Sequence, residues 1–218
     1  MLKLQVVIGS TREGRNADPV VKWLLPMVKA TGAFEVETLD LREWPLPMFQ
    51  EVVAKMGDLF KSPTFSDPLV TRWNAKIKEA DAYLFVTPEY NHSVPGVLKN
   101  AIDSVFMTFG FRNKPAAFAA YSNGITGGVR AVEHLNQIMV EAGAVPVRTP
   151  ALVPMVTAAF DAQGQPTNPQ VIANATVMLE DLAWLGNALK PAREKGELGP
   201  PSFRARALVT KLTAHTAK

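Results

Sequence analysis

The chain has 218 residues, of which 47% are hydrophobic and 20% charged, an ordinary globular balance that excludes wholesale disorder and allows one sizeable core. It contains no cysteine, which rules out disulfides, thiolate metal sites and cysteine nucleophiles, so any redox chemistry needs a bound cofactor. The net charge is +3, but residues 191–218 carry six Lys/Arg against Glu194 and Glu197, which leaves the body at −1. A body so near neutrality lacks the basic stripe of a nucleic-acid binder, and no nucleic-acid partner is expected. No apolar run reaches the length of a membrane span. The segment from Met1 to Gly9 lacks the pattern of a secretory signal, so a cytoplasmic location is the expectation.

Short apolar runs alternate with longer helical stretches, the pattern of an α/β fold with a mainly parallel sheet. Leu2–Ile8 reads as the first strand. Pro19–Lys29 reads as a helix with Asp18 as its N-cap and Pro19 at its first position, and Pro26 should kink or shorten it. Phe34–Leu41 alternates as a strand near a sheet edge does. The Pro-rich stretch from Trp44 to Phe65 reads as a long loop, with a short helix near Val52–Met56. It is expected to wall a pocket, although Met48, Phe49 and Phe60 serve equally well as packing residues. Leu69–Ala80 is a helix and Asp81–Thr87 the central buried strand. Gly96–Phe106 is a helix, and Ala116–Tyr121 a strand entered at Pro115. Gly128–Ala142 is a helix closed by Gly143, and Val145–Leu152 supplies a fifth strand. Phe160–Pro169 is turn-rich and Pro169–Leu189 forms the last long helix. The boundaries give one domain over residues 1–190 and a basic, flexible tail over 191–218, with a helical turn or two between Phe203 and Leu212.

In a doubly wound sheet of five strands, ligands bind outside the C-terminal strand ends. Three loops occupy such positions. Gly9-Ser10-Thr11-Arg12-Glu13-Gly14-Arg15-Asn16 follows the first strand and offers backbone N–H groups, hydroxyls and arginines at a helix start, the parts of an anion site. A polar turn with solvated arginines remains an alternative. The loop is neither G-x-G-x-x-G nor a P-loop, which disfavours a nucleoside triphosphatase. Thr87-Pro88-Glu89-Tyr90-Asn91-His92-Ser93-Val94-Pro95-Gly96 leaves the most apolar strand. Its prolines stiffen a backbone that can read the polar edge of a flat ring, which Tyr90 and His92 can cover. Lys99 and Asp103 beyond it read as structural. Ser122-Asn123-Gly124-Ile125-Thr126-Gly127-Gly128 is the third, and its glycines permit close approach to a ligand, although a plain strand-to-helix turn accounts for this loop taken alone. His92, His134 and His215 show no metal-ligand spacing, and no G-x-S-x-G hydrolase elbow occurs.

Gly9-Ser10-x-Arg12 with Asn16, together with Pro88-Glu89-Tyr90-Asn91-x-Ser93-x-Pro95-Gly96-x-Leu98-Lys99-Asn100-Ala101-Ile102-Asp103, resembles the NADPH-dependent FMN reductase family, which includes bacterial quinone, chromate and azo-dye reductases. The resemblance covers roughly residues 1–185. It implies a flavodoxin-like three-layer α/β fold with a five-stranded parallel sheet, FMN as cofactor, and a homodimer or homotetramer. It further implies that Ser10, Arg12 and Asn16 bind the FMN phosphate. Arg15 stands where many members have serine, and either adds a phosphate contact or points to solvent. Pro88, Glu89, Tyr90, Asn91, His92 and Ser93 then contact the isoalloxazine ring, with Tyr90 and Asn91 nearest its edge. Ser122 and Gly124 close on its far edge.

The expected function is FMN-dependent transfer of a hydride from NADPH or NADH to a small acceptor such as a quinone, azo compound, flavin or metal oxyanion. FMN carries the chemistry, and no catalytic dyad is expected. One alternative is a flavodoxin-like electron carrier, which a long-lived semiquinone would favour; the near-neutral body argues against it. Another is a flavin-responsive regulatory module, for which only the basic tail speaks.

Overall fold

The computed structural model describes residues 1–58 and 62–216. In chain order the elements are β1 (Leu2–Ile8), α1 (Ala17–Ala30), β2 (Phe34–Asp40), the short strands β3 (Gly57–Asp58) and β4 (Ser62–Pro63), α2 (Pro68–Lys78), β5 (Ala82–Pro88), α3 (Gly96–Phe106), β6 (Pro115–Tyr121), α4 (Val129–Glu141), β7 (Val145–Pro146), β8 (Ala151–Val153), α5 (Pro169–Glu194) and α6 (Pro201–Thr216).

The main sheet runs β2-β1-β5-β6-β7, and β8 also pairs with β6. All of these pairings are parallel. The expected fifth strand is therefore one position filled by two short pieces. Pro146 and Pro150 flank the break between them, and proline cannot donate to a ladder. The chain reverses its direction of travel across the sheet between β1 and β5, so the ends of those strands form the crevice where ligands bind in this topology. Both β5 and β6 are buried along their whole length, as central strands covered on both faces must be. β2 alternates and lies at the edge.

Two apolar layers sandwich the sheet. On one face Val20, Trp23, Leu24 and Val28 of α1 join Val171, Met178, Leu179 and Leu182 of α5 against Leu4, Val6 and Leu84. On the other, Trp73 and Ile77 of α2, Leu98, Ile102 and Val105 of α3, and Leu135 and Met139 of α4 pack on Val7, Phe85 and Phe118. Each large side chain so buried contributes roughly 1.5–3 kcal/mol. The result is the three-layer flavodoxin-like fold.

Several boundaries differ from those read in the sequence. α1 begins at Ala17 with Asn16 as N-cap, not at Pro19 with Asp18, because Asp18 is drawn instead to Arg15. Pro26 does not shorten α1. It lies on the exposed side, as does Lys22, whose carbonyl loses its intrahelical donor. α5 likewise continues through Pro191 to Glu194, anchored where Lys190 and Arg193 both bond Asp81. The tail forms a sixteen-residue helix, α6, rather than a turn or two. Pro201 starts it and alternating Arg and Ala favour it, while Phe203 meets Phe109 edge-on at 6.1 Å. Among the described residues no helix is long and apolar enough to cross a membrane.

The stretch from Trp44 to Phe65 is irregular apart from a single 3-10 turn at Val53–Lys55 and the pairing of β3 with β4. Asn100 of α3 holds it down, accepting from the Phe49 N–H at 2.8 Å and donating to the Pro47 carbonyl at 2.9 Å. Met48 is exposed and Phe49 borders on it, and Phe60 lies outside the described residues.

Candidate functional site

The loops after β1, β5 and β6 converge on a cavity of about 290 Å³. Its lining includes Arg12, Arg15, Asn16, Pro88, Glu89, Tyr90 and Ser122, all expected from the sequence, together with Glu13, Gly14, Tyr121, Asn123 and Val156. No described residue of the 44–65 loop lines it, contrary to expectation. That loop is drawn onto α3 by Asn100 instead.

The first loop has a distinctive hydrogen-bond pattern. Three successive carbonyls are taken by two arginines: Arg15 donates to Ser10 O at 2.5 Å, and Arg42 donates to Thr11 O and Arg12 O. The N–H groups of Thr11, Arg12, Glu13 and Gly14 have no acceptor among the described residues. A backbone whose carbonyls are tied to arginines while its amides remain free is suited to an anion. Arg15 itself is spent on this task. It is 9% exposed, and its guanidinium bonds Asp18 and both carboxylate oxygens of Asp40. Asp40 hydrogen bonding holds the Arg15 charge in place against the opposing effect of burial. Burial on its own would raise the Asp40 carboxyl, but the hydrogen bonds from Arg15 and the Arg42 amide outweigh it and hold the pKa below the usual carboxylate range. Arg12 keeps its guanidinium exposed, 5.3 Å above the Tyr90 ring, a cation–π distance. Asn16 caps α1 with no side-chain bond to that helix, which leaves its amide available to the cavity.

The second loop turns back on itself between Tyr90 and Ser93, whose backbones exchange bonds of 2.8 and 3.0 Å. Asn91 and His92 at the tip both have positive φ, 50° and 73°, as the central pair of a type I′ turn requires. Both are exposed and neither lines the cavity. Ser93 points elsewhere, to His134 Nδ1 at 2.7 Å. Glu89 is nearly buried and pairs with Arg130 at the start of α4, whose backbone N–H also reaches its carboxylate. The Glu89 N–H bonds Tyr121 O. Tyr90 reaches across to the first loop, where its hydroxyl lies 2.8 Å from Ser10 Oγ. Ser10 is fully buried. Lys99 and Asp103 form an ion pair on α3, 2.6 Å apart.

The third loop is fastened to the segment after β8. Val156 N–H bonds Ser122 O, and Met155 N–H bonds Gly124 O. Gly124 O also accepts from Ser122 Oγ, so Gly124 shapes the turn without lining the cavity. Gly128 is required where the loop enters α4: φ is 92°, and a Cβ there would sit 2.8 Å from both Ala120 Cβ and Tyr121 N.

The family comparison fits this geometry. The NADPH-dependent FMN reductase family matches residues 2–157. The chain belongs to that family. An NAD(P)H-dependent FMN reductase of Pseudomonas aeruginosa is 35% identical over 167 residues, 75% of this chain and 84% of its own length. A quinone reductase of Escherichia coli is 37% identical over 142 residues, 63% of this chain and 70% of its own. Among solved structures, the flavoenzyme NAD(P)H:(acceptor) oxidoreductase FerB from Paracoccus denitrificans superposes with a TM-score of 0.69 at 25% identity, covering 87% of this chain and 99% of FerB. RosB, solved with bound 8-demethyl-8-formylriboflavin-5'-phosphate, has a TM-score of 0.73 at 13% identity over 97% of this chain and 88% of its own, a likeness of fold alone.

Of the five lining residues not assigned from the sequence, Glu13, Gly14 and Asn123 lie within the loops read there, and Tyr121 and Val156 lie outside them. Tyr121 appeared only as the end of a strand, although a polar-tipped aromatic at the C-terminal end of a central strand is a usable signal. Val156 gave none, because its place depends on the β8 connection folding back onto the third loop.

Proposed function

We propose that this FMN reductase family member passes reducing equivalents from NAD(P)H, by way of FMN bound across the three loops, to a small-molecule acceptor of the quinone class. The observation that carries the reading is the first loop, with free amides from Thr11 to Gly14 and carbonyls held by Arg15 and Arg42. The buried Tyr121 hydroxyl beside it has no partner among the described residues, so the donor set fits a phosphorylated flavin.

Bound FMN supplies the acceptance and release of hydride. The chain's residues bind and orient. The amides of the first loop, Ser10, Arg12 and Asn16 hold the phosphate, with the positive end of α1 behind them. Arg15 acts through the loop's shape, from its bonds to Asp40, Asp18 and Ser10 O. Pro88, Glu89 and Tyr90 form the wall against the ring. Asn91, His92 and Ser93 contribute the backbone of the turn at its edge, and Ser122 and Gly124 set the opposite rim. Tyr90 is bonded to Ser10 and stacked under Arg12; Ser10 would have to leave Tyr90 in order to bond a phosphate. A homodimer or homotetramer is part of this reading; a hollow of about 370 Å³ between α3 and α4, lined by Ile102, Phe106 and Ile138 together with Lys99, Asp103, Gln137 and Glu141, offers a contact face for it. A cytoplasmic location suits a consumer of NAD(P)H.

Reconstitution with FMN, removal of excess, and an anaerobic visible spectrum before and after NADPH test the reading. Retained yellow absorbance that bleaches with NADPH and returns with a quinone is expected. Retained flavin that NADPH cannot bleach would point to an electron carrier or a regulatory module, and absence of retained flavin would overturn the assignment.

A further inference from the structure

Tyr121 ends β6, and its side chain lies with the α1 and α5 layer at the back of the first loop. It is 3% exposed, and its hydroxyl is sealed from water with no hydrogen-bond partner among the described residues. The other fully buried tyrosine, Tyr83, behaves as buried tyrosines should: its hydroxyl meets Ile77 O, Gly110 O and Lys114 Nζ. An unpaired buried hydroxyl destabilises a fold that gains nothing from it. Tyr121 belongs to a small cluster of hydroxyls that the three loops bring together. Ser10 and Tyr90 are bonded to each other; beside the Tyr121 hydroxyl, Ser10 acts as a weak hydrogen-bonding neighbour that falls short of a formed bond, and Tyr90 and Arg15 act through their charge.

We propose that the Tyr121 hydroxyl donates a hydrogen bond to the phosphate of bound FMN, a role that rests on the flavin reading above. Burial, reinforced by the neighbouring Tyr90, pushes the Tyr121 pKa well above that of an ordinary tyrosine. The proton therefore stays on the oxygen across the working pH range, and the group is a donor. The position matches the acceptor. Tyr121 lines the same cavity as Arg12, Glu13 and Gly14 of the first loop, and Ser10 lies beside its hydroxyl. Donors from the ends of β1 and β6 thus reach the same oxygens. The hydroxyl is orphaned in the ligand-free fold because its partner arrives with the cofactor.

The test compares wild type with Tyr121→Phe, which removes one oxygen and keeps the ring. Dissociation constants for FMN and for riboflavin are measured by quenching of flavin fluorescence, and the flavin-free proteins are melted in parallel. FMN affinity is expected to fall by about tenfold to a hundredfold, the range for loss of a hydrogen bond to a charged group. Riboflavin affinity should change less than twofold, and the flavin-free variant should melt at or above the wild-type temperature. Unchanged FMN affinity overturns the proposal, as does equal weakening of both flavins, which would move the contact away from the phosphate. A flavin-free variant that melts well below wild type marks the hydroxyl as structural and also overturns it. Wild type that binds neither flavin is a separate result, and defeats the flavin reading itself.

Discussion

Arg15 grips Asp40 with two different guanidinium nitrogens, Nη1 on Oδ1 at 2.7 Å and Nη2 on Oδ2. Asp40 ends β2 and Arg15 lies in the loop after β1, so the pair clamps the anion loop to the neighbouring strand. Removing one partner of a buried pair costs about 3–5 kcal/mol, and the partial exposure of Asp40, 18%, reduces that. Asp40→Asn is expected to lower stability by about 1–3 kcal/mol in urea unfolding and to weaken FMN binding, because Arg15, which holds the Ser10 carbonyl, loses its anchor. The sign of the pH effect follows from a carboxyl pKa held low in the fold. Its contribution is present above the unfolded value, about 3.9, and is lost as pH falls through the folded one. The stability gap between wild type and variant should therefore stay constant from pH 8 to 5 and close below about pH 4. A gap that persists unchanged to pH 2.5 would show that another group anchors the loop.

Glu89 and Arg130 tie the second loop to the start of α4. The Glu89 side chain is 7% exposed and that of Arg130 38%, so the two ends of the bridge are unequally solvated. Arg130→Met should destabilise more than the double variant Glu89→Gln/Arg130→Met, because the single change leaves a buried carboxylate without its cation. A double-mutant cycle from denaturant unfolding measures the coupling, expected at about 1–2 kcal/mol. Additive effects would mean that the bridge contributes nothing to the loop's position.

Much of this was legible in the sequence, for identifiable reasons. The period-two and continuous apolar runs of Leu2–Ile8, Asp81–Thr87 and Ala116–Tyr121 placed three central strands and hence three ligand loops at their ends. The helix ends were harder to place. Local rules chose Asp18 as a cap, whereas Arg15, three residues earlier, claimed it; Pro26 was expected to kink or shorten α1 and the last helix to end at Leu189, whereas Pro26 and Pro191 both sit on exposed helix faces. Arg15 read as either a phosphate contact or a solvent-facing side chain because its partner Asp40 is distant in sequence and joins it only through the β1–β2 pairing. The role of Asn100 in pulling the 44–65 loop away from the cavity was hidden for the same reason.

Lys114 should impose an alkaline gain in stability. Burial pushes its pKa down to about 7, although its Nζ donates to Lys78 O at 2.9 Å and to Tyr83 Oη at 3.2 Å. Unfolded lysine titrates near 10.4, so between about pH 7 and 10 the unfolded chain binds the extra proton and stability rises with pH. From pH 7 to 9 the rise attributable to this group is about 2 kcal/mol. Lys114→Met should flatten that rise in a series of thermal melts, whatever its effect at a single pH. An identical slope in the variant would place the titration elsewhere.

The turn at Asn91 and His92 separates what a side chain does from what its backbone does. Holding a non-glycine residue in left-handed geometry costs roughly 1–2 kcal/mol, and His92, at a φ of 73°, carries that cost with its ring exposed. His92→Gly should relieve it, offset in part by the greater entropy of glycine in the unfolded chain, so the variant is expected to be as stable as wild type or more stable by up to about 1 kcal/mol. His92→Val, with a branched Cβ in the same conformation, should lose more than 1 kcal/mol and loosen the turn that positions Tyr90. FMN titrations then decide what the residue contributes. Because the imidazole does not line the cavity, His92→Gly should bind FMN within twofold of wild type, while His92→Val binds it more weakly. A tenfold loss in the glycine variant would show instead that the imidazole reaches the flavin in the bound state.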